Sequence, residues 1–292
     1  MSLSAFEQIR IALQEKRVTE IAGFSVVTDR VEYQKPDQVF PLHPENQFFI
    51  DEIAQEKMRG ASALEIGLGS GALSIAAVRV GARHVTALEI NPRAKAFAGF
   101  NLLLNGVEDK VDIREGDTEE ILKPVQGMRF DYILSNPPFE PTPPGAAYYL
   151  HSAGGMYGLD FTEKLLKGAP ACLSENGHLQ IVTFAPGNEH SPFKLIELIE
   201  NSLPGAEVRV NPISLAFDGF LDRFVMLGAA TEEQLQGMKH RAREDGVSRL
   251  YLCMVHYDKG QEGILVVPSP KIYENWDLPL GSKVPMGVRI KP

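Results

Sequence analysis

Between Ala61 and Ala230, short apolar runs of strand length alternate with longer segments of helical period, the pattern of a mostly parallel sheet with helices on both faces. Strands are expected at Ala63–Ile66, His84–Ile90, Val111–Glu115, Phe130–Ser135, His178–Phe184, Glu207–Ile213 and Arg223–Leu227. Only the short segment Ser214–Gly219 joins the last two, too little for a helical crossover, so they are expected to pair antiparallel at one edge. The expected fold is α/β: a doubly wound, seven-stranded sheet of Rossmann-like type, with six parallel strands and one antiparallel.

The flanks carry weaker patterns. Ala5–Lys16 suits an amphipathic helix, and Phe24–Phe40 holds β-type residues around Asp29 that suggest a hairpin. The loop Phe40-Pro41-Leu42-His43-Pro44-Glu45-Asn46 leads into a helix from about Gln47. Beyond the core, Thr231–Glu244 reads as a charged helix, followed by a strand at Leu250–Tyr257, a turn at Asp258-Lys259-Gly260 and a strand at Gly263–Val267. Three regions are therefore expected: 1–46, with helix, hairpin and a loop over the ligand; 47–230, the catalytic domain; and 231–292, a small α+β appendage.

Composition narrows the class. The chain has 292 residues, is 44% hydrophobic, and so can bury a large core. Two cysteines, Cys172 and Cys253, are too few and too far apart for a disulfide framework or a metal knuckle, which suits a reducing cytoplasm. Neither a signal peptide nor a membrane span is expected: the most apolar stretch, Ala61–Ala82, is broken by Glu65, Arg79 and glycines. A net charge of −9 disfavours a nucleic-acid partner, because phosphate contacts need clustered Lys and Arg.

The chemistry sits at two strand ends. Ala63-Leu64-Glu65-Ile66-Gly67-Leu68-Gly69-Ser70-Gly71-Ala72 is a buried strand entering a glycine-rich turn and a helix, where exposed N–H groups meet a ligand. Gly67, Gly69 and Ala72 also satisfy the dinucleotide fingerprint, so the turn alone leaves a nicotinamide cofactor open. Glu89, closing the second strand, is placed to accept from both ribose hydroxyls, a need that NAD and S-adenosylmethionine share. Glu65, a costly acid within an apolar strand, is placed to receive a ligand ammonium, and Asp117, followed by Thr118, an adenine amino group. These two favour S-adenosylmethionine.

The fourth strand stops at Asn136-Pro137-Pro138-Phe139, facing the ligand across the switch point of the sheet. The lone pair of an amide or aromatic amine is delocalised, and two acceptors gripping the N–H bonds turn it toward an electrophile. Asn136 Oδ1 and the Pro137 carbonyl are suitable acceptors, proline rigidity fixes their direction, and Phe139 offers a face for a planar group. Metal and covalent nucleophile are unnecessary, since the sulfonium methyl is already activated.

Leu64–Phe139 resembles the class I S-adenosylmethionine methyltransferases of the N-methylating branch, and within them the HemK-type protein glutamine N5-methyltransferases. Pro41-Leu42-His43-Pro44-Glu45 is similar to that family's Pro-Arg-Pro-Glu segment, and Asn136–Phe139 to its signature. Gly154-Gly155-Met156-Tyr157-Gly158-Leu159-Asp160 is similar to its Gly-Gly-x-x-Gly-Leu region. The resemblance implies that Gly67, Gly69, Glu89, Asp117 and Asn136 bind cofactor or substrate, and Gly71 belongs to the same turn. The chain departs from the family's release-factor enzymes in having one helix and a hairpin before the core, His43 for the arginine, and residues 231–292 besides.

After the signature, Pro138, Tyr148, Tyr149 and His151 are expected to shape the acceptor pocket, and Pro141–Gly145 to form a lid. His43, a lone loop histidine, is expected at the surface with no catalytic role. The expected reaction is methyl transfer to a planar NH2 nitrogen, with the side-chain amide of a protein glutamine favoured. An exocyclic amino group of RNA or DNA and a small metabolite are the alternatives. Outside this class stand a nicotinamide-dependent oxidoreductase, which leaves Asn136–Phe139 without a purpose, and a non-catalytic binding module.

Overall fold

The computed structural model describes residues 16–281 apart from 147 and 227. The helix expected over 5–16 lies outside the described residues, except for Lys16, which opens a strand. The hairpin lies nearer the N-terminus than expected: β1 (Lys16–Ile21) pairs antiparallel with β2 (Phe24–Asp29) around Ala22-Gly23, both with positive φ. Phe24–Phe40 is thus one strand followed by a loop, because Asp29 does not turn the chain. It accepts from Arg93 and from the Val39 amide instead, anchoring that loop.

From there the chain forms α1 (Pro44–Asp51), α2 (Gln55–Met58), β3 (Ser62–Ile66), α3 (Ala72–Val80), β4 (His84–Glu89), α4 (Pro92–Leu104), β5 (Val111–Glu115) and β6 (Phe130–Ser135). Then come α5 (Asp160–Cys172), β7 (Leu173–Gly187), α6 (Phe193–Glu200), β8 (Gly205–Val210), β9 (Leu215–Ala216), α7 (Phe217–Met226), α8 (Glu232–Glu244), β10 (Arg249–Asp258) and β11 (Gly263–Pro268). The main sheet runs β11-β8-β10-β7-β6-β3-β4-β5, with β9 beside β10. β3 to β7 are mutually parallel, and β10 is antiparallel to both β7 and β8. Helices cover both faces over two apolar clusters, one including Phe48, Ile75, Leu102 and Phe224, the other Leu165, Leu195 and Ile199. The architecture is therefore the expected doubly wound α/β sheet, with nine strands among the described residues in place of the expected seven, because the C-terminal region adds β10 and β11 and the short β9 pairs with β10.

Two expectations fail at its far edge. Arg223–Leu227 is not a strand: residues up to Met226 belong to α7, whose Phe217, Phe220, Leu221 and Phe224 recur at helical spacing and are buried together. The antiparallel strand is β10, contributed by the region expected to be an appendage, and it lies inside the sheet between β7 and β8. Eight successive residues, Leu250–Tyr257, are buried, as a strand covered on both faces requires. Residues 231–281 are consequently continuous with the main domain: Trp276 is buried and donates to the Ile213 carbonyl at 2.8 Å, and the Leu280 amide donates to Leu42 at 2.8 Å. No helix among the described residues is long and apolar enough to cross a membrane.

Candidate active site

The parallel strands β3 to β6 end on one side of the sheet, and chain order reverses about β3, which leaves a crevice there. Gly67, Gly69 and Gly71 have φ of 81°, 54° and 83°, so the turn from β3 into α3 favours glycine at these positions. Gly71 is the N-cap of α3, and a Cβ there would come within 3.3 Å of Ala98 Cβ, so this glycine holds the turn against α4. Asn101 on α4 locks the same turn, bonding the Ser70 carbonyl and both the N–H and the carbonyl of Val27 at 2.9 Å.

Glu89 closes β4 with its carboxylate between two backbone amides, Gly69 N–H at 2.7 Å and Asn91 N–H at 2.8 Å. This fixes an acceptor beside the glycine turn. Glu65, on β3, is buried, takes a hydrogen bond from the Ser74 hydroxyl, and has its carboxyl pushed up to about 8, chiefly by burial, with the charge of Glu89 adding to it. Asp117 is partly exposed and accepts the amides of Glu119 and Glu120 at 2.8 Å, which hold its carboxyl below the usual range.

Opposite, Ser135 ends β6 and donates to the Ile66 carbonyl at 2.6 Å, tying the start of Asn136-Pro137-Pro138-Phe139 to the end of β3. Phe139 packs on Phe184 with ring centroids 4.4 Å apart. The following segment folds back on the signature: the Glu140 amide donates to the Ser152 carbonyl, the Gly154 amide to the Glu140 carbonyl and the Thr142 amide to the Gly155 carbonyl. The lid expected at Pro141–Gly145 is docked, with Gln234 donating to the Pro144 carbonyl at 3.0 Å.

Gly158 has φ of 74°, and a Cβ there would overlap the Phe139 carbonyl oxygen, so the glycine motif exists to let this segment lie against the signature backbone. Gly158→Ala is expected to lower stability by about 2 to 5 kcal/mol, combining left-handed strain with overpacking. Urea unfolding measures this; a variant within experimental error of the wild type would show that the segment adjusts freely.

Glu65, Gly67, Gly69, Glu89, Asp117, Thr118, Asn136 to Phe139, Tyr148, Tyr149 and His151 line one pocket of about 400 Å³. Among the described residues, five that bear carboxyls line it, Glu45, Glu65, Glu89, Asp117 and Glu140, with no lysine or arginine. Its roof overturns one expectation. His43 is only 4% exposed. Its ring stacks on Phe40 at 4.3 Å, His151 stacks on the same ring at 4.3 Å, and Nδ1 lies 2.7 Å from the Pro41 carbonyl. Burial pushes both histidines down to about 3, so both are neutral. Tyr148 donates to Glu140 and packs on Phe224 at 4.6 Å, so it supports the wall through its neighbours. Phe40, Glu45 and Glu140 were not singled out as site residues; the signals for them were the proline-flanked loop leading to α1, which holds Phe40 and Glu45, and the signature that Glu140 directly follows.

A family profile, the methyltransferase small domain, matches residues 43–203. The chain is 31% identical over 156 residues to the release factor glutamine methyltransferase of Geobacter sulfurreducens, covering 50% of this chain and 53% of that one. It is 34% identical over 129 residues to a putative protein N5-glutamine methyltransferase of Methanocaldococcus jannaschii, covering 43% and 62%. A ribosomal protein L11 methyltransferase of an Exiguobacterium species is 36% identical over 94 residues, covering 32% and 29%. The chain thus spans less than two thirds of each of these relatives. Among solved structures, a putative S-adenosylmethionine-dependent methyltransferase from Streptococcus mutans shares the fold, with a TM-score of 0.50 at 15% identity over 82% of this chain and 55% of that one.

Proposed function

The chain belongs to the methyltransferase small domain family, and we propose that it is an S-adenosylmethionine-dependent enzyme that methylates a planar NH2 nitrogen, a glutamine-type primary amide before any other. The observation that carries the reading is the single pocket with Glu89 and the glycine turn at one end and Asn136-Pro137 at the other. Glu89 accepts the ribose hydroxyls, Glu65 the ammonium, and Asp117 with Thr118 faces the adenine. Asn136 Oδ1 and the Pro137 carbonyl hold the two N–H bonds of the acceptor so that its lone pair points at the methyl group. As nitrogen bonds to the methyl carbon, the carbon–sulfur bond breaks with its electron pair left on sulfur, and the N–H proton departs to water. The carboxylates of Glu89 and Asp117 in the lining, together with the net charge of −9, make a phosphate-bearing acceptor the poorer fit and favour a protein or small molecule.

S-adenosylhomocysteine is expected to bind and NAD is not. Glu89→Ala is expected to weaken S-adenosylhomocysteine by about 1.5 to 3 kcal/mol, the usual loss for hydrogen bonds to a charged group. Titration calorimetry measures both. NAD binding without a response to S-adenosylhomocysteine overturns the reading, and unchanged affinity in the variant removes Glu89 from the site.

A further inference from the structure

The roof loop leaves two buried polar atoms with no partner among the described residues, His43 Nε2 and Glu45 Oε2. Both residues are 4% exposed. Both line one small cavity of about 30 Å³ behind the signature, which adjoins the main pocket and shares Phe40, Glu45, Phe139, Glu140 and Tyr148 with it.

The tautomer of His43 follows from its neighbour. The Pro41 carbonyl can only accept, so Nδ1 carries the ring proton and Nε2 presents a lone pair. His43 and Glu45 therefore line the same void, and neither His43 Nε2 nor Glu45 Oε2 has a hydrogen-bond partner among the other described residues. Leaving two such atoms unsatisfied is costly, so the void calls for a small group rich in N–H or O–H bonds. Its volume fits one water or one ammonium group.

Two further features separate those occupants. The walls include Phe40, Tyr148, Phe220, Phe224 and Trp276, a ring-lined enclosure of the kind that attracts a cation. Glu45, Glu140 and Asp277 face it against a single cation, Arg223, which is already paired with Asp277.

We propose that this cavity receives a protonated primary amine carried by the methyl acceptor, with His43 Nε2 and Glu45 accepting its N–H bonds. The acceptor is then a small molecule bearing both a primary amide and an amine, not a glutamine within a protein chain. This rests on the placing of the amide at Asn136. Burial, with the charge of Glu140 adding to it, holds the empty-site Glu45 carboxyl up at about 8, so an entering ammonium offsets a large cost of ionising it.

The test uses the full chain saturated with S-adenosylhomocysteine and probes of equal length ending in ammonium, methyl or carboxylate: γ-aminobutyramide, pentanamide and glutaramate, with their longer homologues. N-acetylglutamine N-methylamide stands for a glutamine inside a protein. At one length at least, the ammonium-ended amide is expected to bind about tenfold or more tightly than its methyl-ended partner, a charge-assisted margin. The carboxylate is not expected to bind. Glu45→Gln and His43→Phe are expected to erase that margin, and His43→Phe, outside the main pocket's lining, to leave S-adenosylhomocysteine affinity unchanged. If a variant does not fold, the wild-type margin alone decides.

Equal or better binding of the methyl-ended, carboxylate-ended or capped-glutamine probes overturns the inference and leaves the cavity to an ordered water. So does absence of all binding at millimolar probe, or a margin that survives both substitutions. Failure of S-adenosylhomocysteine itself to bind overturns the cofactor reading, and this inference with it.

Discussion

A chain ending at Ala230 is expected not to fold and not to bind S-adenosylhomocysteine. Such a truncation removes α8, β10 and β11 together, and β10 is the strand on which the far half of the sheet depends. Along β10, Leu250, Leu252 and Met254 enter one apolar cluster, while Tyr251, Cys253, Val255 and Tyr257 enter the other. Each fully buried side chain of this size contributes about 1.5 to 3 kcal/mol, so the loss on both faces matches or exceeds the roughly 5 to 15 kcal/mol by which domains are stable. The backbone adds to it. β7 and β8 have no ladder with each other, and without β10 each presents an unpaired buried edge. Circular dichroism with thermal unfolding of 1–230 checks this. A cooperative transition together with S-adenosylhomocysteine binding would mean that β7 and β8 can close on each other, and that the C-terminal region is an appendage after all.

Sequence pattern located the strands that carry the chemistry because each is a short strand-length run, apolar in β3, β4 and β6 and alternating in β5, stopped by glycine or proline: Gly67 after β3, Asn91-Pro92 after β4, Gly116 after β5 and Pro137 after β6. The same habit misled at Arg223–Leu227, where Phe224, Val225 and Met226 look like a strand until Phe217, Phe220 and Leu221 are counted with them. β10 was recognised as a strand but not as a central one. Its unbroken burial is what a strand covered on both faces shows, yet a strand's place in a sheet depends on pairing with residues far away in sequence. The roof of the site was least legible. Nothing local in Phe40–Asn46 says that His43 stacks on Phe40 or that Glu45 is buried, since both depend on His151, Glu140 and α7, which arrive from elsewhere in the chain.

Asn136→Ala is expected to cut turnover by about 10²- to 10³-fold, the usual loss when one preorganised polar partner of a transition state is removed. Fold and S-adenosylhomocysteine affinity are expected to stay near wild type. The structure gives the reason for that separation. The strand end is held by the Ser135 hydroxyl on Ile66 and by the segment that Gly158 packs against Phe139, neither of which uses the Asn136 side chain. The Pro137 carbonyl also survives the substitution, so the amine still enters and one of its N–H bonds is still held. What is lost is the second acceptor, which matters most as the nitrogen becomes tetrahedral, so kcat falls further than KM rises. Asn136→Asp is the finer probe. Its carboxylate still accepts the N–H bond but sets a negative charge beside the cationic sulfonium, and its rate is expected to lie between those of the wild type and Asn136→Ala. Single-turnover rates on an identified acceptor decide the point, and an Asn136→Ala enzyme within a few-fold of wild type would show that Asn136-Pro137-Pro138-Phe139 only ends a strand.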